Sequence, residues 1–161
     1  MAGLLLAEAA VAAGKNATHA QAYGPESRGG ASKAEVIISD GDIDFPCADR
    51  VDALVALTRE AHERYAPLLE PGGTLVVDRA QVHVEDGNGF ACHALPITAT
   101  AQRVLGGTAM GANLVALGAI VALTGAVPVE AAERAVAARR PGGSLERALA
   151  AFRAGLELGS G

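Results

Sequence analysis

The sequence contains no tryptophan, and aromatic residues make up only 3% of its 161 residues. Half of the chain is nevertheless apolar, which is enough to build a core in a chain of the length of one ordinary domain. We therefore expect a single domain over residues 1–161, with a core filled by alanine, valine, leucine and isoleucine.

Cysteine is nearly as scarce, since Cys47 and Cys92 are the only two and no C-x-x-C motif is present. A ferredoxin-type iron–sulfur cluster needs four thiolates, so this chain cannot hold one by itself. We interpret both cysteines as small buried hydrophobic side chains in a reducing compartment, in preference to a catalytic role. Any electron-carrying clusters would then lie on another chain.

A net positive charge and long apolar runs are also lacking. The net charge is −5, and no basic patch stands out, which argues against nucleic acid as a partner. The first ten residues lack the positively charged start of a signal peptide, and Glu8 interrupts them. The longest later apolar stretch, residues 110–123, is shorter than the ~20 residues that cross a bilayer. We expect a soluble, cytoplasmic protein with no membrane partner.

The order of the predicted elements indicates the fold class. Residues 2–13 favour a helix and residues 18–23 a short extended piece, and apolar runs predict strands at 35–39, 51–58 and 74–78. Strands that alternate with helices are typical of an α/β domain with three layers and a mostly parallel sheet.

The second half of the chain is predicted to be more helical. Residues 82–84 and 91–95 flank a polar turn, so they are expected to form a hairpin or additional edge pairing. Thr58 is a candidate N-cap for a helix that runs to Tyr65. Further helices are expected at 98–105, 110–123, 128–138 and 144–158.

The most informative segment is residues 23–39, which begins as a loop and ends as a strand. Gly24-Pro25 is a turn signal, and Gly29-Gly30 allows backbone conformations that other residues avoid. Between them lie the anion Glu26 and the permanent cation Arg28. A loop with an arginine and free backbone N–H groups is suited to a phosphate, a carboxylate or a partner protein.

Several roles are open for this loop. Three functional roles are considered for Arg28 and Glu26: a pair with each other, docking of a partner subunit, or contact with the anionic part of a cofactor. The alternative is that the loop is only solvated. We favour contact with a partner or ligand. Lys33 adds positive charge beside them, and Tyr23 is expected to pack at the base of the loop with its hydroxyl available to the site.

Two further polar positions are candidates outside the loop. Asp78 ends a buried strand, where open α/β sheets bind ligands, and a capping role is an equal alternative. Asn113 interrupts an apolar helix rich in glycine and alanine, where a buried amide must be hydrogen-bonded and close helix packing is slightly preferred over ligand binding. The four histidines show no ligand spacing, so we interpret them as surface or satisfied side chains and predict no metal site and no catalytic residue.

Five blocks of the sequence together resemble a known family. The segment YGPESRGGASKAEVIIS at 23–39 is similar to the signature loop of the gamma subunit of 2-oxoacid:ferredoxin oxidoreductases, and 2-oxoglutarate-type members are the nearest in pattern. The likeness continues in the same order through VDALVALT at 51–58, LEPGGTLVVD at 69–78, LPIT at 95–98 and GANLVALGA at 111–119. It therefore covers nearly the whole chain.

The resemblance implies a function for the complex rather than for the chain alone. Members of the family oxidatively decarboxylate a 2-oxoacid with coenzyme A to give an acyl-CoA, carbon dioxide and reduced ferredoxin. Thiamine diphosphate, magnesium and iron–sulfur clusters are expected on partner subunits, namely thiamine-binding and ferredoxin-like chains of a hetero-oligomer. Tyr23, Gly24, Glu26, Arg28, Gly29, Gly30 and Asn113 are the expected cofactor-binding or partner-contact residues.

The beginning of the chain departs from the family pattern. Members usually start with a hydrophobic strand and a glycine-rich segment before the equivalent of the first helix, and this sequence opens in that helix. We therefore expect an N-terminally truncated domain. The alternatives to an oxidoreductase subunit are a free-standing α/β domain that binds an anionic small molecule and an inactive truncated remnant. Neither the oxoacid nor the subunit stoichiometry follows from the sequence.

Overall fold

The computed structural model describes residues 1–22, 33–84, 89–139 and 144–161. A short 3-10 helix, Ala66–Leu68, leads into the fourth strand. The other elements, in chain order, are α1 (Ala2–Ala12), β1 (Asn16–Ala22), β2 (Lys33–Ser39), β3 (Val51–Ala56), α2 (Arg59–Tyr65), β4 (Leu69–Asp78), β5 (Ala91–Leu95), α3 (Ile97–Val104), α4 (Ala112–Thr124), α5 (Val129–Ala138) and α6 (Ser144–Ser160).

The five strands of the described chain form two sheets. Strands β3, β4 and β5 are parallel with β4 in the centre, and β1 and β2 form a separate antiparallel pair. The predicted α/β class with a parallel sheet and a helical C-terminal half is confirmed. Residues 91–95 add an edge strand, as one of the two alternatives stated. The other alternative, a hairpin with residues 82–84, is wrong because β5 pairs in parallel with β4 and residues 82–84 are not a strand.

Strand β4 begins earlier than the sequence suggests. Pro71-Gly72-Gly73 reads as a turn, yet these residues lie inside the strand. The ladder with β3 shifts register there, and Gly72 takes a φ of +78°. A Cβ at Gly73 would lie 2.9 Å from the carbonyl oxygen of Asp52. The glycines therefore let two strands approach at an irregularity instead of ending the strand.

The alternating faces of β4 separate two layers of helices. Val76 faces a large core made by α1 and α3–α6, whereas Leu75 and Val77 face a smaller cluster on the side of α2. Alanine, valine, leucine and isoleucine fill most of the core, as expected, and Phe152 is the largest fully buried side chain. The predicted three-layer arrangement follows from this alternation.

Helices α4 and α6 run parallel and touch backbone to backbone. Small residues recur every fourth position on α6, at Ala151, Gly155 and Gly159. They face, in that order, the N-cap Gly111 and residues Val115 and Ala119 of α4. Residues without bulky side chains allow such close approach. The predicted role of the small residues around Asn113 in close helix packing is thereby confirmed.

The interpretation of the cysteines as buried hydrophobic residues is wrong. Cys47 lies in the irregular connection before β3, and Cys92 lies on the edge strand β5, and both are exposed. Edge strands and connections keep one side toward solvent, which sequence composition alone does not reveal. In the described part of the chain, no helix is both long and apolar enough to cross a membrane.

Candidate functional site

Most of the predicted site falls outside the described residues. Tyr23, Gly24, Glu26, Arg28, Gly29 and Gly30 all belong to residues 23–32. The residues on either side are described, and Ala22 of β1 is the ladder partner of Lys33 of β2. Strand β1 therefore ends, and β2 begins, at the same end of the hairpin, and Lys33 marks that end.

Lys33 is held in place by an ion pair on its own strand. Its Nζ lies 2.7 Å from an Oε of Glu35, and the other carboxylate oxygen accepts a hydrogen bond of 3.3 Å from the backbone N–H of Ala48. The hydrogen bond from Lys33 lowers the pKa of Glu35, and the same bond raises the pKa of Lys33. Glu35 thus fixes the ammonium group and attaches the connection before β3 to the hairpin.

The same ammonium group lies over an aromatic ring from the other sheet's helix. Lys33 Nζ is 5.6 Å from the centroid of the Tyr65 ring, at the end of α2. The guanidinium carbon of Arg64 lies at the same distance from that ring. Cations within about 6 Å of a ring centroid are attracted to its face. We refer to Lys33, Glu35, Arg64 and Tyr65 as the Tyr65 patch.

The Tyr65 patch lies toward the amino ends of the parallel strands, and Asp78 lies at the carboxyl end of β4. Helix α2 follows the carboxyl end of β3 and returns to the start of β4, so its last residue, Tyr65, lies toward the amino ends of the strands. Asp78 is the last residue of β4 and is fully buried. Lys33, which contacts the Tyr65 ring, therefore lies away from the carboxyl ends of the strands, where open α/β sheets ordinarily bind ligands.

Asp78 has a structural role, the second of the two alternatives that its position left open. One carboxylate oxygen accepts a 2.9 Å hydrogen bond from the N–H of Thr98 in the first turn of α3, and the other accepts a 3.1 Å bond from Ala80. The backbone carbonyl of Asp78 also accepts from Gln81 and Val82. The side chain therefore caps α3 and fixes the turn after β4.

Asn113 lies in the first turn of α4 and is half-buried, less enclosed than its place in an apolar helix suggests. The N-cap of this helix is Gly111, so the first turn has no side-chain cap. The buried segment of α4 begins one residue later, at Leu114. The structure does not bring Asn113 into contact with the Tyr65 patch, and its role in ligand or partner contact stays a prediction.

One histidine differs from the interpretation as a surface or satisfied side chain. The Nε2 atom of His19 is buried without a hydrogen-bond partner, and a Cβ at Gly3 would lie 3.3 Å from it. Helix α1 covers the ring because glycine at position 3 leaves space for it. Among the described residues, no group of three or more histidine, cysteine, aspartate or glutamate side chains could hold a metal ion.

Sequence reasoning identified Lys33 but missed its three neighbours in the patch. Glu35 and Lys33 are two residues apart on β2 and therefore lie on the same side of the strand. This i, i+2 spacing is the sequence signal that could have paired them. Arg64 and Tyr65 carry no such signal, since their contact with β2 depends on how α2 packs across two sheets.

The patterns of the chain agree with one family model over nearly its full length. The model described as pyruvate ferredoxin/flavodoxin oxidoreductase matches residues 1–158. The chain belongs to this family. The resemblance stated from the five sequence blocks is therefore confirmed.

Relatives within the pyruvate ferredoxin/flavodoxin oxidoreductase family carry specific names. The 2-oxoglutarate synthase subunit KorC of Methanothermobacter marburgensis is 43% identical, with 98% of this chain and 88% of that protein covered. The subunit of the same name from Archaeoglobus fulgidus is 41% identical, with 98% of this chain and 80% of that protein covered.

Solved structures share the fold. The gamma subunit of a keto/oxoacid ferredoxin oxidoreductase from Geobacter sulfurreducens is 46% identical and superimposes with a TM-score of 0.86, over 98% of this chain and 89% of that one. The 2-oxoglutarate:ferredoxin oxidoreductase of Magnetococcus marinus, solved with 2-oxoglutarate, coenzyme A and succinyl-CoA, is 23% identical with a TM-score of 0.86. This chain matches 28% of that longer polypeptide, so the fold occurs both as a separate subunit and as part of a larger chain.

Proposed function

We propose that this chain is a non-autonomous subunit of a 2-oxoglutarate:ferredoxin oxidoreductase. The complex would decarboxylate the oxoacid oxidatively with coenzyme A and give succinyl-CoA, carbon dioxide and reduced ferredoxin. The observation that carries the proposal is the 43% identity to a 2-oxoglutarate synthase subunit, which extends over 98% of the chain. A substrate class inferred from a full-length relative is stronger than one inferred from fold alone.

The cofactors of this reaction would lie on partner subunits. The chain has two cysteines, located on an edge strand and in a connection, so its own thiols do not fit a cluster that requires four. We propose that thiamine-binding and ferredoxin-like chains supply thiamine diphosphate, magnesium and the iron–sulfur clusters. The cytoplasmic location remains part of this proposal.

The contribution of this subunit would come from the end of the hairpin. Arg28, with Tyr23, Gly24, Glu26, Gly29 and Gly30, is proposed to contact a partner subunit or coenzyme A. Lys33 supports this role because it follows the glycine-rich segment directly in sequence and its ammonium group is ion-paired with Glu35 at 2.7 Å. A fixed cation at the base of a glycine-rich segment suits a site for anionic groups.

Reconstitution tests the proposed function. Candidate thiamine-binding and ferredoxin-like partner subunits are purified with and without this chain, and viologen reduction is followed with 2-oxoglutarate and coenzyme A. We expect the chain alone to be inactive and the full complex to need it for its full rate. Turnover by the chain alone would contradict the subunit role, and a small anion bound to a chain that takes up no partner would favour the free-standing alternative.

A complex that assembles but prefers another oxoacid would contradict only the substrate class. Parallel assays with pyruvate and 2-oxoisovalerate therefore accompany the 2-oxoglutarate assay. We expect the ratio kcat/KM to be highest for 2-oxoglutarate.

A further inference from the structure

The connection between β2 and β3 presents an exposed apolar surface. The side chain of Phe45 is 69% exposed, and neither core cluster includes it. Pro46 and Cys47, the next two residues, are exposed as well, and Ile43 is half-buried. Single apolar side chains are common on protein surfaces, but this connection has four apolar residues within five positions. We refer to residues 42–47 as the Phe45 segment.

The Phe45 segment is attached to the body of the domain on both sides. Before it, the Nζ atom of Lys15 lies 2.8 Å from a carboxylate oxygen of Asp40. After it, the backbone N–H of Ala48 donates a 3.3 Å hydrogen bond to the carboxylate of Glu35. Within it, Pro46 restricts its own φ and disfavours a helical backbone at the residue before it. A segment restrained in this way loses less conformational entropy when a partner binds.

Acidic side chains surround the apolar residues of the Phe45 segment. The connection, residues 40–50, contains four aspartates and one arginine, so it carries a net charge of −3. Asp42, Asp44 and Asp49 are exposed, and no ion pair among the described residues includes them. An apolar centre with a polar rim is the usual composition of a protein–protein interface. Aromatic side chains at such centres often contribute most of the binding energy.

The charge of the rim indicates the kind of partner. A second copy of this chain, whose net charge is −5, a nucleic acid or an anionic membrane would each bring negative charge to the exposed aspartates. A protein surface with lysine or arginine around an apolar pocket would bring the opposite charge. Complementary charges across an interface speed association and fix the orientation of the partners.

We propose that the Phe45 segment docks this chain onto a partner subunit, with Phe45 in an apolar pocket that lysine or arginine side chains surround. This inference rests on the proposed function, which makes the chain a subunit of a hetero-oligomer. The exposed aspartates steer the approach of the two subunits. Burial of the Phe45 ring then slows their dissociation.

Binding measurements with the thiamine-binding and ferredoxin-like candidate subunits test the docking role. Each candidate is immobilised, and association and dissociation of this chain are followed by biolayer interferometry. We expect Phe45→Ala to weaken binding to one of them about ten- to a hundredfold, mainly through faster dissociation. The variant should melt like the wild type, because the side chain that it truncates is exposed.

Two further variants separate the roles of charge and apolar contact. The double variant Asp42→Asn and Asp44→Asn should associate more slowly at low salt, and its association rate should depend less on ionic strength. Val11→Ala is the matched control, because Val11 of α1 is another exposed apolar side chain, at 60%. This control should bind like the wild type.

The exposed thiol of Cys47 provides an independent measurement inside the Phe45 segment. In a Cys92→Ser variant it is the only thiol of the chain. Its alkylation by N-ethylmaleimide is followed by mass spectrometry of the peptide that contains it. The rate should fall about tenfold when the partner subunit is added, because the reaction requires an accessible thiol.

Several outcomes would overturn the docking role while the complex still assembles. They are wild-type binding by Phe45→Ala, equal weakening in Phe45→Ala and Val11→Ala, and unchanged alkylation of Cys47 in the assembled complex. Self-association of the wild type that Phe45→Ala abolishes would assign the segment to a second copy and would also overturn it. A wild-type chain that binds neither candidate subunit would refute the proposed function as well, so the two failures are distinct.

Discussion

Gly118 of α4 and Gly155 of α6 lie where the two helix backbones touch, and neither position has room for a Cβ atom. A Cβ on Gly118 would lie 2.1 Å from the carbonyl oxygen of Phe152, and one on Gly155 would lie 2.0 Å from that of Val115. Both obstacles are backbone atoms, which cannot move aside as a flexible side chain can. The contact between α4 and α6 therefore depends on glycine at both positions.

Gly155→Ala is expected to destabilise the domain strongly. The added methyl group forces the two helices apart and opens the core around Phe152, and overpacking of this kind costs about 1–3 kcal/mol or more. The free energy of unfolding, measured by urea denaturation and circular dichroism, should fall by that amount. Gly41→Ala is the control, because its Cβ would meet only the Ser39 hydroxyl at 4.0 Å. A Gly155→Ala variant as stable as this control would contradict the packing argument.

Asp78→Ala is expected to destabilise the turn after β4 and the start of α3. It removes the acceptor for the N–H groups of Thr98 and Ala80, and the loss of charge-assisted hydrogen bonds costs about 1.5–3 kcal/mol. Asp78→Asn should cost less, because the amide oxygen keeps one of the two bonds. Asp44→Ala, at an exposed carboxylate, should be neutral in the same denaturation experiment.

The kinetics of Asp78→Asn distinguish a structural from a ligand-binding carboxylate. In the reconstituted complex, the KM for 2-oxoglutarate and for coenzyme A should match the wild type at a temperature where the variant is folded. A large rise in either KM without loss of stability would show that Asp78 contacts a substrate.

The ion pair between Glu8 of α1 and Arg139, the C-cap residue of α5, predicts a pH-dependent stability. The Arg139 Nε lies 2.9 Å from both carboxylate oxygens, and this hydrogen bonding lowers the pKa of Glu8 from its ordinary value of 4.5. A carboxyl group with a lowered pKa stabilises the fold above the unfolded value, and this contribution is lost as the pH falls through the folded value.

Glu8→Gln should therefore be less stable than the wild type at pH 7, and the two melting temperatures should converge as the pH falls below the ordinary Glu8 pKa of 4.5. The difference at pH 7 should also shrink in molar salt, since both side chains are partly exposed. Glu157→Gln, at an exposed carboxylate of α6, is the control. A difference between Glu8→Gln and the wild type that does not change between pH 7 and low pH would exclude the ion pair as its cause.

Arg28→Ala is expected to impair assembly or the use of coenzyme A while the domain stays folded. The loss of one charge-assisted contact costs about 1.5–3 kcal/mol, or roughly ten- to a hundredfold in affinity. Arg28→Lys should restore little if the contact is bidentate, because an ammonium group cannot replace a planar fork. Titrations of coenzyme A and of partner subunit against the three proteins measure the effect. Equal behaviour of all three would identify the segment as a solvated connection.

Local signals in the sequence predicted most of the elements. The alanine-rich start, the cap at Thr58 and the apolar runs of β3 and β4 each act within a few residues. Helices α1 and α2 and strand β3 lie where these signals place them, and β4 contains the predicted residues 74–78 although it begins at Leu69. Thr58 Oγ1 accepts the predicted capping bond from the N–H of Ala61 at 3.2 Å. Family membership was readable because five blocks keep their order.

The errors concern relations between distant segments. Residues 91–95 could pair with residues 82–84 in a hairpin or with β4 in the parallel sheet. The choice depends on which strand pairing is more stable in the whole fold, and the sequence of one segment does not determine it. The exposure of Cys92 follows from that pairing, because an edge strand presents one side to solvent. The contact between Tyr65 and Lys33 likewise depends on how α2 packs against the hairpin, which neither segment specifies alone.

The position of α6 in the chain has a consequence for synthesis. Its glycine-containing face completes the surface of α4, and Phe152 fills the centre of the core. Every earlier element can therefore leave the ribosome while the apolar face of α4 still lacks its partner. Domains generally fold as units, so this one becomes native only after α6 emerges. Until then, the nascent chain presents an uncovered apolar helix to chaperones, and a product stopped before Phe152 would be recognised as misfolded.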